Sequence, residues 1–186
     1  MKEWFEEKTV ALIGNAMSLF DKEYGSEIDS HDVVVRLNKA AMLYDRMDAE
    51  KSHGKKTDVW IFWSTSEYRS RFDKYSNVKK MHAGHQSRSV QTLKQVDFIY
   101  PETPNYEILR TKSGKHNNPT TGLIAIDWIT HCLPKSLDIY GFDWKDTPTF
   151  TDPKGAREKY CPHDFETERR YVKDNILTLP YVRLRS

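Results

Sequence analysis

Thr9-Val10-Ala11-Leu12-Ile13-Gly14-Asn15-Ala16-Met17-Ser18-Leu19-Phe20 is the stretch from which the rest of the chain can be read. Its first five residues form an apolar, partly β-branched run without a polar face, the pattern of a strand buried on both sides. The run breaks at Gly14-Asn15 and passes into a helix-compatible segment. Strand, turn and helix open a βαβ unit. At such a turn the helix N–H groups point past the strand end, where phosphate commonly binds. With one glycine the turn lacks a dinucleotide fingerprint, and an ordinary βα turn accounts for it as well.

Outward from this stretch the pattern repeats. Asp32-Val33-Val34-Val35-Arg36-Leu37 reads as a second strand ending at Asn38, and Asp58–Trp63 as a third, too uniformly apolar for a sheet with one wet face. Val78–His82, Val96–Tyr100, Leu137–Gly141 and Tyr181–Leu184 complete a set of about seven. Residues 39–52 read as a helix or an adapted loop, and Ser66 as the cap of a polar helix running to Ser76. Further helices are expected near 89–95, 104–112, 121–132 and 163–177. This alternation predicts one α/β domain over residues 1–186, Rossmann-like, with mostly parallel strands and helices on both faces. Ligands bind such sheets beyond the carboxyl ends of the strands, so chemistry is sought in the loops that follow them. The irregular stretch Asp143–Cys161 is a candidate lid.

Composition narrows the function. The 186 residues, 38% hydrophobic and 12% aromatic, are enough for one domain with a real core. A net charge of +2 neither demands a polyanion partner nor excludes one. The basic group Arg69, Arg71, Lys74, Lys79 and Lys80 reads as a solvated helix face, which disfavours nucleic acid as a partner. Met1–Lys8 carries charges where a signal peptide needs apolar residues, and no window approaches a membrane span. Cys132 and Cys161 lack metal-ligand spacing and are read as reduced structural thiols. A cytoplasmic location is expected.

Three constellations can carry chemistry. Asn15 and Asn38 follow two strands of one sheet, where their amides could converge on phosphate oxygens; as turn residues they need no ligand at all. Asn117-Asn118-Pro119-Thr120-Thr121-Gly122 leads into an apolar helix, offering Thr hydroxyls and open helix N–H groups to an anion. A capped helix alone explains the same residues. Cys161-Pro162-His163-Asp164-Phe165-Glu166-Thr167-Glu168 starts an amphipathic helix with Phe165, Val172 and Ile176 inward. A histidine there feels the positive end of the helix dipole, which favours the neutral, proton-accepting imidazole of a general base.

Taken together these pieces make the sequence resemble glycosyltransferase family 29, the sialyltransferases. Val10–Phe20 with Tyr24-Gly25, Ile28-Asp29, His31–Val34 and Arg36-Leu37-Asn38 is similar to the long sialylmotif. Pro119–Gly122 through Cys132 to Asp138–Phe142 is similar to the short one, and His163 with Glu168 to the very short one. The resemblance implies a GT-A-like variant of the Rossmann fold. It implies that Gly14, Asn15, Asn38, Thr120, Thr121 and Gly122 bind the CMP part of a donor, with His163 as base. The expected function is inverting, metal-independent transfer of sialic acid from CMP to an acceptor hydroxyl. The partners are then a nucleotide-sugar donor and a glycan or other hydroxyl-bearing acceptor, with no cofactor beyond the donor substrate. The absence of any Asp-x-Asp pair from the chain agrees with a site that holds no metal.

The sequence also departs from the family. Golgi members pair the short-motif cysteine with one before the long motif, where this chain reads Lys8-Thr9-Val10. This points to a reducing cytoplasm and a bacterial or viral source. The third motif is not recognisable in Thr149–Pro153. Residues three apart share a helix face while those five apart do not, so Glu166 competes with Glu168 as the partner of His163. The alternatives are another nucleotide sugar, with an acceptor such as a hydroxylated base in phage DNA, or a nucleotide-binding module without catalysis.

Overall fold

The computed structural model describes residues 2–43, 49–63, 69–84, 96–99, 119–150 and 163–185. Among these, seven strands form one sheet: β1 (Thr9–Ile13), β2 (Val33–Leu37), β3 (Val59–Phe62), β4 (Lys79–His82), β5 (Val96–Phe98), β6 (Ser136–Tyr140) and β7 (Val182–Arg185). Their order is β5-β4-β3-β2-β1-β6-β7, and every pairing is parallel. The register sets Leu12 beside Val35 and Ile139. The chain winds outward from β1 to β5, then returns to lay β6 on the opposite side of β1. The order therefore reverses between β1 and β6, and a crevice opens there beyond the strand ends.

Successive side chains along the strands take opposite faces of the sheet. Val10, Leu12, Val35, Ile61 and Ile139 point into the larger core with Leu123, Ile126 and Ile129. Ala11, Ile13, Val34 and Tyr140 point the other way, onto Leu19 and Ile28. Both faces are covered, which is why the strands read as continuous apolar runs. The helices are short: α1 (Gly25–Asp29), α2 (Ala40–Leu43), α3 (Glu50–His53), α4 (Thr121–His131) and α5 (Phe165–Tyr171). α5 continues as one π-helical stretch, Val172–Ile176. Between α1 and the sheet, His31 lies 3.2 Å from Asp138 and 2.9 Å from the Glu27 carbonyl. Burial alone would lower the imidazole, but these partners outweigh it and hold His31 above its ordinary value.

The structure corrects three expectations. The segment after Gly14-Asn15 is a 3₁₀ helix, Met17–Asp21, rather than the opening of an α-helix. The described part of the Ser66–Ser76 helix is a single 3₁₀ turn, Arg69–Arg71, followed by turns. Lys80, expected on a solvated face, is 3% exposed, and its ammonium donates to the Tyr75 and Val78 carbonyls at 2.7 and 3.0 Å. The helices expected near 89–95 and 104–112, and Cys161, lie outside the described residues. Cys132 is buried in the larger core. Among the described residues no helix is long and apolar enough to cross a membrane.

Candidate active site

A cleft of about 350 Å³ opens at the reversal between β1 and β6. Gly14, Asn15, Asn38, Thr120, Thr121, Gly122, His163 and Glu168 all line it, from four separate parts of the chain. Glu166, the other candidate partner of His163, is absent from this lining and is exposed on α5.

The floor is set by close backbone contact. A Cβ on Gly14 would stand 2.3 Å from the Gly141 carbonyl oxygen and 2.7 Å from the Phe142 ring. Only glycine lets the ends of β1 and β6 approach this closely. The same ring fills the space beside Gly122, where a Cβ would come within 2.7 Å. Phe142 thus wedges between the turn after β1 and the start of α4, and fixes the distance between them.

The polar groups divide into those spent on the fold and those turned to the cleft. In the turn after β1, Gly14 N–H donates to Tyr140, Ala16 to Gly141 and Met17 to Pro148. Ser18 N–H donates to the Thr147 hydroxyl. These groups cannot cradle a phosphate, and the Asn15 carboxamide is left to face the cleft. Its Oδ1 is buried and has no hydrogen-bond partner among the described residues. Asn38 adopts the left-handed conformation, φ 47°, that asparagine tolerates. Its Oδ1 accepts from Trp63 N–H at 3.1 Å, leaving the NH₂ as its remaining polar end.

α4 presents its N-terminus to the same space. Thr120 caps it, the hydroxyl accepting from Leu123 N–H at 3.0 Å. Thr121 and Gly122 occupy the first helical positions, whose N–H groups have no acceptor within the helix. Together with the helix dipole they make the cleft attractive to an anion.

Opposite, α5 brings His163 and Glu168. Asp164 caps α5, accepting from Thr167 N–H and Oγ1, each at 3.0 Å, and these bonds hold its carboxyl below the ordinary range. His163 directly precedes this cap, half-buried, its ring 6.0 Å from that of Phe165. Glu168 is 2% exposed and takes Thr120 N–H at 2.7 Å and Thr120 Oγ1 at 2.6 Å. Burial raises its carboxyl to about 7 even though both Thr120 bonds favour the ionised form. Of the two glutamates, Glu168 is the buried one, and it grips the start of α4.

Asp143, Trp144, Lys145 and Thr149 also line the cleft from the loop after β6; the sequence reading placed them in the candidate lid without naming them as site residues. Trp144 (φ 50°) and Lys145 (φ 75°) are both left-handed, a strain of about 1–2 kcal/mol per residue. Asp143 holds the loop, accepting from Lys145 N–H at 3.1 Å, Thr147 N–H at 3.2 Å and Ser18 Oγ at 3.0 Å. Residues 143–150 are also tied to the first turn, with Phe150 N–H donating to the Asn15 carbonyl. This part of the candidate lid is fixed in place.

The sequence profile of glycosyltransferase family 29 (sialyltransferase) matches residues 5–103. CMP-N-acetylneuraminate-beta-galactosamide-alpha-2,3-sialyltransferase 1 of Mus musculus is 26% identical over 192 residues, covering 85% of this chain and 53% of the mouse protein. The Homo sapiens counterpart gives the same identity and coverage over 189 residues. The chain thus spans about half the length of these curated relatives. A mammalian sialyltransferase solved with Gal-beta-1-3GalNAc-ortho-nitrophenol superposes with a TM-score of 0.69 at 18% identity, over 99% of this chain and 71% of that one. The Campylobacter jejuni sialyltransferase CstII, solved with CMP-3FNeuAc, gives 0.61 at 13% identity, over 96% and 86%. At such identities the structures speak to the fold, the same all-parallel Rossmann-like sheet.

Proposed function

Because the chain belongs to glycosyltransferase family 29, we propose that it transfers a sugar, sialic acid, from a CMP-activated donor to an acceptor hydroxyl, with inversion and without a metal. The observation that carries this reading is the meeting of Asn15, Asn38, Thr120–Gly122 and His163 in one cleft at the reversal of strand order. Amide side chains and the α4 N-terminus suit a phosphate monoester, which departs with less charge than a nucleoside diphosphate.

In this mechanism Asn15, Asn38 and the first turn of α4 hold CMP. His163 accepts the proton of the acceptor hydroxyl as that oxygen bonds to the anomeric carbon. The bond from this carbon to the phosphate oxygen breaks, and CMP leaves with the electron pair. Attack opposite the leaving group inverts the centre. Glu168 acts as a positioning residue: through Thr120 it fixes α4, and through its own helix it fixes α5.

A glycan is the acceptor class that the family supports. A polyanionic acceptor is weakened by the burial of Lys80 and by the pairing of Lys79 with Asp97 at 2.5 Å.

The test is CMP release from CMP-sialic acid in the presence of galactosides, with and without EDTA. Release is expected from the wild-type protein in both conditions and is expected to fall at least 100-fold in His163→Ala. Full activity of that variant would remove the base assignment, and loss of activity with EDTA would remove the metal-free mechanism.

A further inference from the structure

His31 follows α1 on the face of the sheet away from the larger core, and there it meets Asp138 and Tyr140 of β6. It is buried, and among the described residues both of its ring nitrogens face acceptors only. Nδ1 lies 2.9 Å from the Glu27 carbonyl oxygen and 3.2 Å from that of Ile28, while Nε2 lies 3.2 Å from Asp138 Oδ2. A neutral imidazole carries one N–H and one lone pair, so in either tautomer the lone pair would confront a buried oxygen. The imidazolium alone offers a proton to both sides. Asp138 keeps its own charge: burial opposes ionisation, but the bonds from His31 and Arg185 and the charge of Arg183 outweigh it.

Charge reaches the ring from several elements. On α1, the Glu27 carboxylate accepts from Tyr140 Oη and pairs with Arg185 Nη2, each at 2.9 Å. On β7, the Nε atoms of Arg185 and Arg183 stand 2.8 and 3.3 Å from Asp138 Oδ1, which leaves Oδ2 to His31. The Lys56 ammonium donates to the His31 and Asp32 carbonyls, and the Asp32 carboxylate is taken by Thr9. Lys56 and the arginines oppose a further positive charge here, whereas Asp138 and Glu27 favour it.

We propose that His31 is a buried imidazolium acting as a proton-linked latch between α1 and β6, whose deprotonation loosens the strand end that floors the cleft. The path is short. Tyr140 presents its ring edge-on to His31, the centroids 6.1 Å apart, and its carbonyl accepts from Gly14 N–H at 2.7 Å. The next residue, Gly141, accepts from Ala16 N–H at 3.1 Å. The strand that His31 fastens therefore holds the turn carrying Asn15. When the second proton leaves, either Asp138 Oδ2 loses its donor or the ring turns a lone pair on the α1 carbonyls, and a buried acceptor left unpaired weakens the contact.

The experiment is a titration of the wild-type protein from about pH 6 to 9, following the histidine ring nitrogens and the backbone amides by NMR. The His31 ring is expected to show two protonated nitrogens well past its ordinary value of 6.5. Protection of the Gly14 and Ala16 amides from hydrogen exchange, corrected for the intrinsic effect of pH, should fall as that second proton leaves. Asp138→Asn removes the charge that holds the proton and should move the His31 titration downward. His31→Gln offers one donor that does not titrate, so amide protection in that variant should stay level over the same range. A wild-type His31 that is a single neutral tautomer at about pH 6.5 would overturn the imidazolium, with no variant needed. Gly14 and Ala16 protection that ignores the His31 titration would overturn the latch.

Discussion

Glu168 holds both the backbone N–H and the hydroxyl of Thr120, at 2.7 and 2.6 Å, and so clamps the start of α4 to α5. This contact joins the start of α4 to the helix that follows His163. It is made by a carboxyl that burial raises to about 7 from an ordinary 4.5.

A raised carboxyl makes stability depend on pH. Between about 4.5 and 7 the folded chain keeps a proton that the unfolded chain has lost, so stability falls as pH rises through this window. The loss is on the order of 3 kcal/mol. Glu168→Gln should therefore be more stable than wild type at pH 8 and no more stable at pH 4.5. His31, also held above its ordinary value, contributes stability below that value and loses it as pH rises, which leaves a smaller residual slope in the variant. Urea unfolding across pH 4.5–8 measures both, and an unchanged slope in Glu168→Gln would refute the assignment.

The glycines should differ in what they tolerate. In Gly14→Ala the new methyl meets the Gly141 carbonyl at 2.3 Å, and relief requires parting β1 from β6. A loss of about 2–4 kcal/mol is expected. In Gly122→Ala the obstacle is the edge of the Phe142 ring, a side chain that can turn aside, and about 1–2 kcal/mol is expected. Thermal melts of the two variants test the ranking, and equal melting points would contradict it.

Asn15 and Asn38 should separate binding from stability. Asn15→Ala removes an amide oxygen that has no partner among the described residues, so stability should change by less than about 0.5 kcal/mol while CMP affinity falls roughly tenfold. Asn38→Ala also loses the bond from Trp63 N–H and puts alanine at φ 47°, so it should lose about 1–2 kcal/mol as well as affinity. Unfolding curves and CMP titrations on the same samples measure this, and a large stability loss in Asn15→Ala would show that its role is structural.

Much of this architecture is legible in the residues themselves. The strands can be placed within one or two residues because parallel strands buried on both faces, such as Val59–Phe62 and, Arg36 apart, Val33–Leu37, are nearly continuous apolar runs. Asn38 and Thr120 are visible because residues that cap or turn have few alternatives. The illegible parts depend on long-range partners. Gly14-Asn15 reads as a phosphate turn until the N–H groups of Gly14, Ala16, Met17 and Ser18 prove to be bonded to β6 and the loop after it, which no local pattern announces. Lys145 lies in an irregular loop and gives no periodic signal. Between Glu168 and Glu166, both named from the sequence, the apolar stripe could have decided: Glu168 lies three residues after Phe165 and four before Val172, and that spacing places it inside.

The central claim is that the cleft between β1 and β6 is built for CMP. A thermal-shift panel of CMP, CDP, UMP, UDP and GDP tests it most directly, since a ligand 100-fold above its Kd adds about 2.7 kcal/mol of stability. CMP should raise the melting temperature by several degrees and by more than the other four. Stabilisation by UDP with none by CMP would contradict the account.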